Sequence, residues 1–139
     1  MEAKLLYRLS EHGTGNLKFH QMCDNQGSTL TLVKTKTGHI FGGYSSISWD
    51  SDGGFRRDEK AYLFSLYEPG GRRPLACHIR PGDEKLRAVY HGRRYGPIFG
   101  RQDLTINMDH PGKSSSRLGF AYTMPEKVHK GKPDTLMAG

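Results

Sequence analysis

Long apolar runs are absent from this sequence of 139 residues. No window approaches the roughly 18 apolar residues that a membrane-crossing helix needs, and the first residues lack the apolar core of a signal peptide. Cysteine is scarce. Cys23 and Cys77 are the only two, too few for a disulfide framework, and neither belongs to a pair at zinc-ligand spacing. A single Cys23–Cys77 bridge stays open, and a reducing intracellular compartment is the simpler expectation. The seven histidines, at 12, 20, 39, 78, 91, 110 and 129, form no HxH or HxxxH pair, so neither a metal nor another cofactor is expected. No serine sits in a GxSxG elbow. The stretch Tyr95–Gly100 lacks the lysine and Ser/Thr of a phosphate loop. Asp50-Ser51-Asp52-Gly53-Gly54 opens like a calcium loop, yet Gly54 falls at the third ligand position and Phe55 where the turn glycine belongs. Ala61 stands where the bidentate glutamate would be, so a surface turn is expected.

Turn-forming residues are plentiful instead. Eighteen glycines and seven prolines exceed the share of about 12% usual for these two residues, which argues for many turns and against a helical bundle. Seven Tyr, six Phe and one Trp are too many for a disordered chain at a mean hydropathy of −0.69. The length suits one domain spanning residues 1–139 with a core of its own. Charge is unevenly spread. Residues 56–101 hold eleven Lys/Arg against five Asp/Glu and supply most of the net +7, a stripe able to attract nucleic acid, an anionic membrane or an acidic protein surface.

Along the chain, Leu5–Leu9 reads as a strand closed by a turn at Glu11–Gly15. Asn16 is placed to cap a short helix whose apolar face holds Phe19, Met22 and Cys23. Thr29–Val33 alternates and is β-branched, a strand with Leu30 and Leu32 expected inward. His39–Tyr44 returns beside it, and the paired Gly42 and Gly43 mark a bulge or a close backbone approach. Residues 45–58 read as a polar loop carrying Trp49, which is expected to be at least half buried. Ala61–Tyr67, apolar on both faces, reads as a central strand ended by Glu68-Pro69-Gly70-Gly71. Weaker strands follow at Leu75–Ile79, Ala88–His91, Ile98–Phe99 and Asp103–Asn107, whereas Ser114-Ser115-Ser116 is a loop composition. One helix against seven or more strands gives a mostly β fold, a two-layer antiparallel sandwich with short flanking helices.

Two places invite chemistry. His20 and Cys23 lie at i, i+3 on the short helix, where an imidazolium would lower a thiol pKa and create a peroxide-sensitive thiol. A cysteine beside Met22 on an apolar face is more simply a core residue. Basic and aromatic residues interleave at Tyr90-His91-Gly92-Arg93-Arg94-Tyr95. With Arg56 and Arg57 they make Arg93, Arg94 and Tyr95 the candidate binding residues for an anion or nucleotide. RNA-recognition signatures are missing, so nucleic acid is not the expected partner.

The order of segments carries more. Leu5-Leu6-Tyr7-Arg8, Phe19-His20 with Cys23-Asp24, and Gly27–Lys34 come first. Phe41-Gly42-Gly43-Tyr44 with Ser48-Trp49-Asp50 follows, then Asp58 with Ala61–Leu66. Tyr90-His91, Tyr95-Gly96-Pro97-Ile98-Phe99-Gly100, Asp103-Leu104 and Leu136–Gly139 complete the series. This order resembles the TLDc domain, the C-terminal module of oxidation-resistance proteins and of many multidomain eukaryotic proteins. The resemblance implies two antiparallel sheets, a role in oxidative-stress protection, and binding to the peripheral sector of the vacuolar-type proton-pumping ATPase. It implies no catalytic constellation, so a non-enzymatic, cytoplasmic protein-interaction module is expected, with Phe41, Gly42, Gly43, Tyr44, Trp49, Asp50, Gly96 and Pro97 as its structural motif. The family continues past the L-x-G segment into a last strand that this chain is expected to lack, which would leave an open sheet edge and favour self-association.

Overall fold

Local hydrogen bonding, not a sheet, organises the first residues. The Arg8 carbonyl accepts from the Glu11 and His12 N–H groups at 3.0 and 2.8 Å, starting a one-turn helix, α1 (Leu9–His12). The strand expected at Leu5–Leu9 does not form among the described residues: the segment pairs with no described strand and leaves Leu5 exposed. A second helix, α2 (Asn16–Cys23), buries Phe19, His20 and Cys23 on one face. Asn16 does not cap it. Gly15 holds that position, at φ 143°, and frees the Asn16 side chain for longer-range partners. The computed structural model describes residues 2–69 and 74–123. The Gly70-Gly71 stop, the Leu136–Gly139 block and the missing last strand all lie outside the described residues.

Nine strands follow among the described residues: β1 (Thr29–Lys34), β2 (Ile40–Ser45), β3 (Phe55–Arg56), β4 (Tyr62–Tyr67), β5 (Leu75–His78), β6 (Val89–Tyr90), β7 (Ile98–Phe99), β8 (Leu104–Thr105) and β9 (Ser115–Ser116). They form two antiparallel sheets, one in the order β1-β2-β4-β5 and the other β3-β6-β7-β8-β9. The inner faces share one core. Phe41, Leu63 and Cys77 enter it from the first sheet, and Val89, Phe99 and Leu104 from the second. Phe19, Trp49 and Tyr122 close its flanks. The chain is the mostly β, two-layer sandwich with few helices that its turns and alternation imply.

Three local expectations are corrected. Residues 45–58 are not all loop, because β3 pairs with β6 through Phe55↔Tyr90 and Arg56↔Val89. Ser115 and Ser116 form β9 against β8, and the Ser116 hydroxyl donates to the Asp103 carbonyl at 2.9 Å. In β1 the facing is reversed. Leu30 and Leu32 point outward, 55% and 57% exposed. Thr29, Thr31 and Val33 take the inner row because the Trp49 indole N–H donates to the Thr29 hydroxyl at 2.9 Å, committing the odd-numbered positions inward.

Close approach explains the paired glycines. A Cβ on Gly43 would sit 2.6–2.8 Å from the Phe99 ring of the opposite sheet, so only hydrogen fits where the layers touch. The ladder between β2 and β4 also slips between Ile40 and Phe41. On the second sheet, Asp103 is fully buried and accepts the N–H groups of Gly119, Phe120, Ala121 and Tyr122 at 3.0–3.2 Å. Burial pushes its carboxyl up, and those four donors oppose the shift.

Candidate functional site

The turn at residues 92–95 is fixed from beneath by α2. His20 Nε2 lies 3.0 Å from the Gly92 carbonyl oxygen and 2.7 Å from that of Tyr95. The Asn16 amide N–H donates to the Arg94 carbonyl at 2.9 Å, and its oxygen accepts the Met108 N–H at 2.7 Å. Both side chains are 5% exposed, so two buried polar groups are spent on the underside of a surface turn. His20 Nδ1 faces Asp24 Oδ1 at 2.7 Å, and the Ser51 hydroxyl donates to Asp24 Oδ2 at 2.5 Å. Acceptors thus stand at both imidazole nitrogens. Gly92 lies under two rings, since a Cβ there would come within 2.5 Å of Tyr90 and 2.6 Å of Tyr95.

With its carbonyls held below, the turn sends its side chains out. Arg93, Arg94 and Tyr95 are exposed, and neither arginine has an ion pair among the described residues. Tyr95 meets Tyr90 edge-on at 5.8 Å, and Tyr90 meets Phe55 of β3 at 5.1 Å. Three aromatic rings flanked by two free guanidinium groups make an apolar, cationic surface. Phe55 enters it through β3, a strand too short for its pattern to announce, and Tyr90 through the position opposite on β6.

The other basic candidates are not available in the same way. Arg56 is partly buried, donating to the Gly53 carbonyl at 2.7 Å and facing Asp50 Oδ1 at 3.4 Å. Arg57 pairs with Glu59 at 2.5 Å, and Lys85 reaches the same carboxylate at 3.2 Å. Arg56 and Arg57 are therefore engaged by carboxylates, whereas among the described residues the two arginines of the 92–95 turn are not.

Trp49 ties these pieces to the core. Its ring is fully buried, edge-on to Phe19 at 5.7 Å and to Phe99 at 5.6 Å, with His91 5.0 Å away. His91 is fully buried too. Its Nδ1 lies 3.3 Å from Asp50 Oδ2 without hydrogen-bond alignment, and neither ring nitrogen has a hydrogen-bond partner among the described residues. Burial lowers the His91 pKa further than the facing Asp50 carboxylate raises it, so the imidazole is held neutral. Burial also works to raise the Asp50 carboxyl, but the Asp52 N–H, His91 and Arg56 outweigh it and the net shift is downward. Asp50 therefore organises the turn that was compared with a calcium loop. No three metal-ligating side chains gather among the described residues.

The remaining motif residues are structural by placement. Phe41 and Pro97 are buried, Tyr44 stacks on Tyr62 at 5.2 Å, and a Cβ on Gly96 would press 2.4 Å from the Ile106 carbonyl oxygen. Gly42 lies under Phe64, whose ring a Cβ would reach at 2.9 Å. His20 and Cys23 share a helix but not a reaction. The imidazole is taken up by Asp24, Gly92 and Tyr95, and Cys23 is 6% exposed. Burial, helped by Asp24, pushes its thiol up to about 11, the opposite of an activated nucleophile. Both cysteines are free.

Fold and surface together define a two-sheet β-sandwich module with a cationic, aromatic turn held rigidly on one edge. The TLDc domain family model matches residues 1–134, and the chain belongs to that family. Its curated relatives include MTOR-associated protein MEAK7 of Gallus gallus, 34% identical over 125 residues, which cover 82% of this chain and 25% of that protein. The Danio rerio protein of the same name is 36% identical over 64 residues, covering 46% of this chain and 14% of the relative. The Mus musculus protein is 33% identical over 82 residues, covering 57% and 16% respectively. The chain thus spans a quarter or less of the length of these relatives.

Proposed function

We propose that this domain is a non-enzymatic protein-interaction module whose 92–95 turn docks on an acidic surface of its partner. The observation that carries the reading is the capture of three of the turn's four carbonyl groups, those of Gly92, Arg94 and Tyr95, by buried Asn16 and His20. A turn ordered in advance loses little conformational freedom on binding, and Tyr and Arg are the residue types that most often dominate protein interfaces. Relatives described as MTOR-associated support a protein partner. Family membership points to the peripheral subunits of the vacuolar-type proton-pumping ATPase, in the setting of oxidative-stress protection. Such a partner would place the domain in the cytoplasm, at the periphery of an organelle membrane.

The test is affinity capture of proton-pump peripheral subunits by the 139-residue chain, beside the Arg93→Glu/Arg94→Glu and Tyr95→Ala variants. Capture should fall at least about tenfold in each variant, as expected for interface anchors, while Arg57→Glu, already paired with Glu59, should change little. Equal capture by all four proteins would remove the turn from the interface. A short single-stranded RNA in the same assay addresses the nucleic-acid alternative, and its tight binding would displace the protein reading. The redox alternative through Cys23 has less in its favour, given a buried thiol raised to about 11.

A further inference from the structure

We propose that β1 is a pairing edge for a second copy of this chain, the two β1 strands running antiparallel about Thr31. The inference uses the sheet opposite the 92–95 turn and stands apart from the partner reading above. Among the described residues β1 pairs only with β2, and none of them covers the backbone donors and acceptors of its other side. Its outer positions, Leu30 and Leu32, are 55% and 57% exposed. Charged or proline residues that would block edge pairing are missing between Ser28 and Val33.

The strand's own pattern selects the occupant. Antiparallel pairing keeps every side chain on its face, so outer Leu30 and Leu32 can oppose only even-numbered positions of a second β1. Centring on Thr31 sets Leu30 against Leu32 twice, Thr29 against Val33, and Thr31 against itself. It also sets Lys34 against Ser28 and Lys36 against Gln26, so no like charges meet. Centring one position later places Leu30 against Lys34, and one position earlier cuts the overlap within β1 from five residues to three and sets Leu32 against Ser28. Only the Thr31 register matches apolar to apolar along the strand.

Continuity with the outer face supports the same register. Leu30, Tyr44 and Tyr62 form one cross-strand row, and Leu32, Gly42 and Phe64 the next. Phe64 covers Gly42, and Tyr44 stacks on Tyr62. In the paired form the Leu30 row of one copy meets the Leu32 row of the other, and the two four-stranded sheets become one of eight whose Leu, Tyr and Phe rows run on across the junction.

Sedimentation velocity of the 139-residue chain over a hundredfold concentration range tests the proposal, with circular dichroism and thermal melts run on each variant to confirm folding. The unaltered chain should show a monomer–dimer equilibrium. Leu30→Lys/Leu32→Lys should raise the dimer dissociation constant at least tenfold by setting like charges opposite each other. Leu30→Glu/Leu32→Lys should restore dimer to within about threefold, because only the Thr31 register sets each introduced charge opposite its counter-ion. A chain that is monomeric throughout, or dimerisation that survives the double lysine variant, would overturn the proposal. Failure of the Glu/Lys variant to recover would overturn the register. Because none of these positions lies near Arg93–Tyr95, loss of partner capture and loss of dimer are read separately.

Discussion

Trp49 is enclosed by Phe19, His91 and Phe99 and spends its one donor on Thr29. Its replacement by Ala removes three ring contacts and leaves a large void, so Trp49→Ala should cost about 3–5 kcal/mol in urea unfolding. A cost below about 1 kcal/mol would mean that the ring contributes little to the core. Cys23 is enclosed in the same layer. With its thiol raised from 9.0 to about 11, roughly one thiol in three thousand is ionised at pH 7.5, against about one in thirty without the shift. A thiol reagent should label native Cys23 on the order of a hundredfold more slowly than the urea-unfolded chain, and equal rates would revive the redox reading. Cys77 is raised to about 11 as well. Between pH 9 and 11 the unfolded chain releases these protons while the folded chain keeps them, so stability should fall as pH rises through that window. Replacing both cysteines with Ala should flatten this fall, which pH-dependent melts would measure.

At the scale of elements, the two sheets touch most closely where Gly43 of β2 meets Phe99 of β7. Gly43→Ala drives a methyl into that ring and should cost about 1–3 kcal/mol by overpacking. Adding Phe99→Leu should recover part of the loss, and strict additivity of the two changes would remove the contact from the explanation. β4 was legible in the sequence because Leu63 and Phe64 are apolar on opposite faces, which only an inner strand tolerates. β1 was legible as a strand but not in its facing. Both of its alternating rows are apolar or β-branched, so periodicity gives the element and a distant residue, Trp49, chooses the side. β3 and β9 have two residues each, and unlike the equally short Ile98–Phe99 of β7 neither holds two apolar residues in a row. At the candidate site, Arg93, Arg94 and Tyr95 showed in the local mixture of charge and aromaticity. Asn16 and His20 did not, because the carbonyls they hold are 72 to 78 residues away and no short-range pattern encodes such a contact.

For the molecule as a whole, the net charge of +7 acts in opposite directions on the two proposed surfaces. At about 1 M salt the Debye length shrinks to about 3 Å. Capture of an acidic partner by Arg93 and Arg94 should weaken there, whereas two like-charged copies should pair through β1 more readily. Pull-down and sedimentation at low and high salt should therefore move apart, and capture unchanged by salt would remove the charge from the turn's role. The support of that turn has a further consequence, for synthesis. The N-terminal end of α2 is tied to the far side of the chain by Gly15 N–H to the Met108 carbonyl at 2.8 Å, Met108 N–H to Asn16 at 2.7 Å, and Asn16 N–H to Asp109 at 2.7 Å. Arg93, Arg94 and Tyr95 leave the ribosome before Met108 and Asp109, but their supporting helix is not locked until those later residues have joined it. A nascent or truncated chain ending near residue 100 would carry the recognition residues without the brace that aims them. Capture by the proposed partner should then report completed folding, and a chain ending near residue 100 should be captured far less than the full 139 residues.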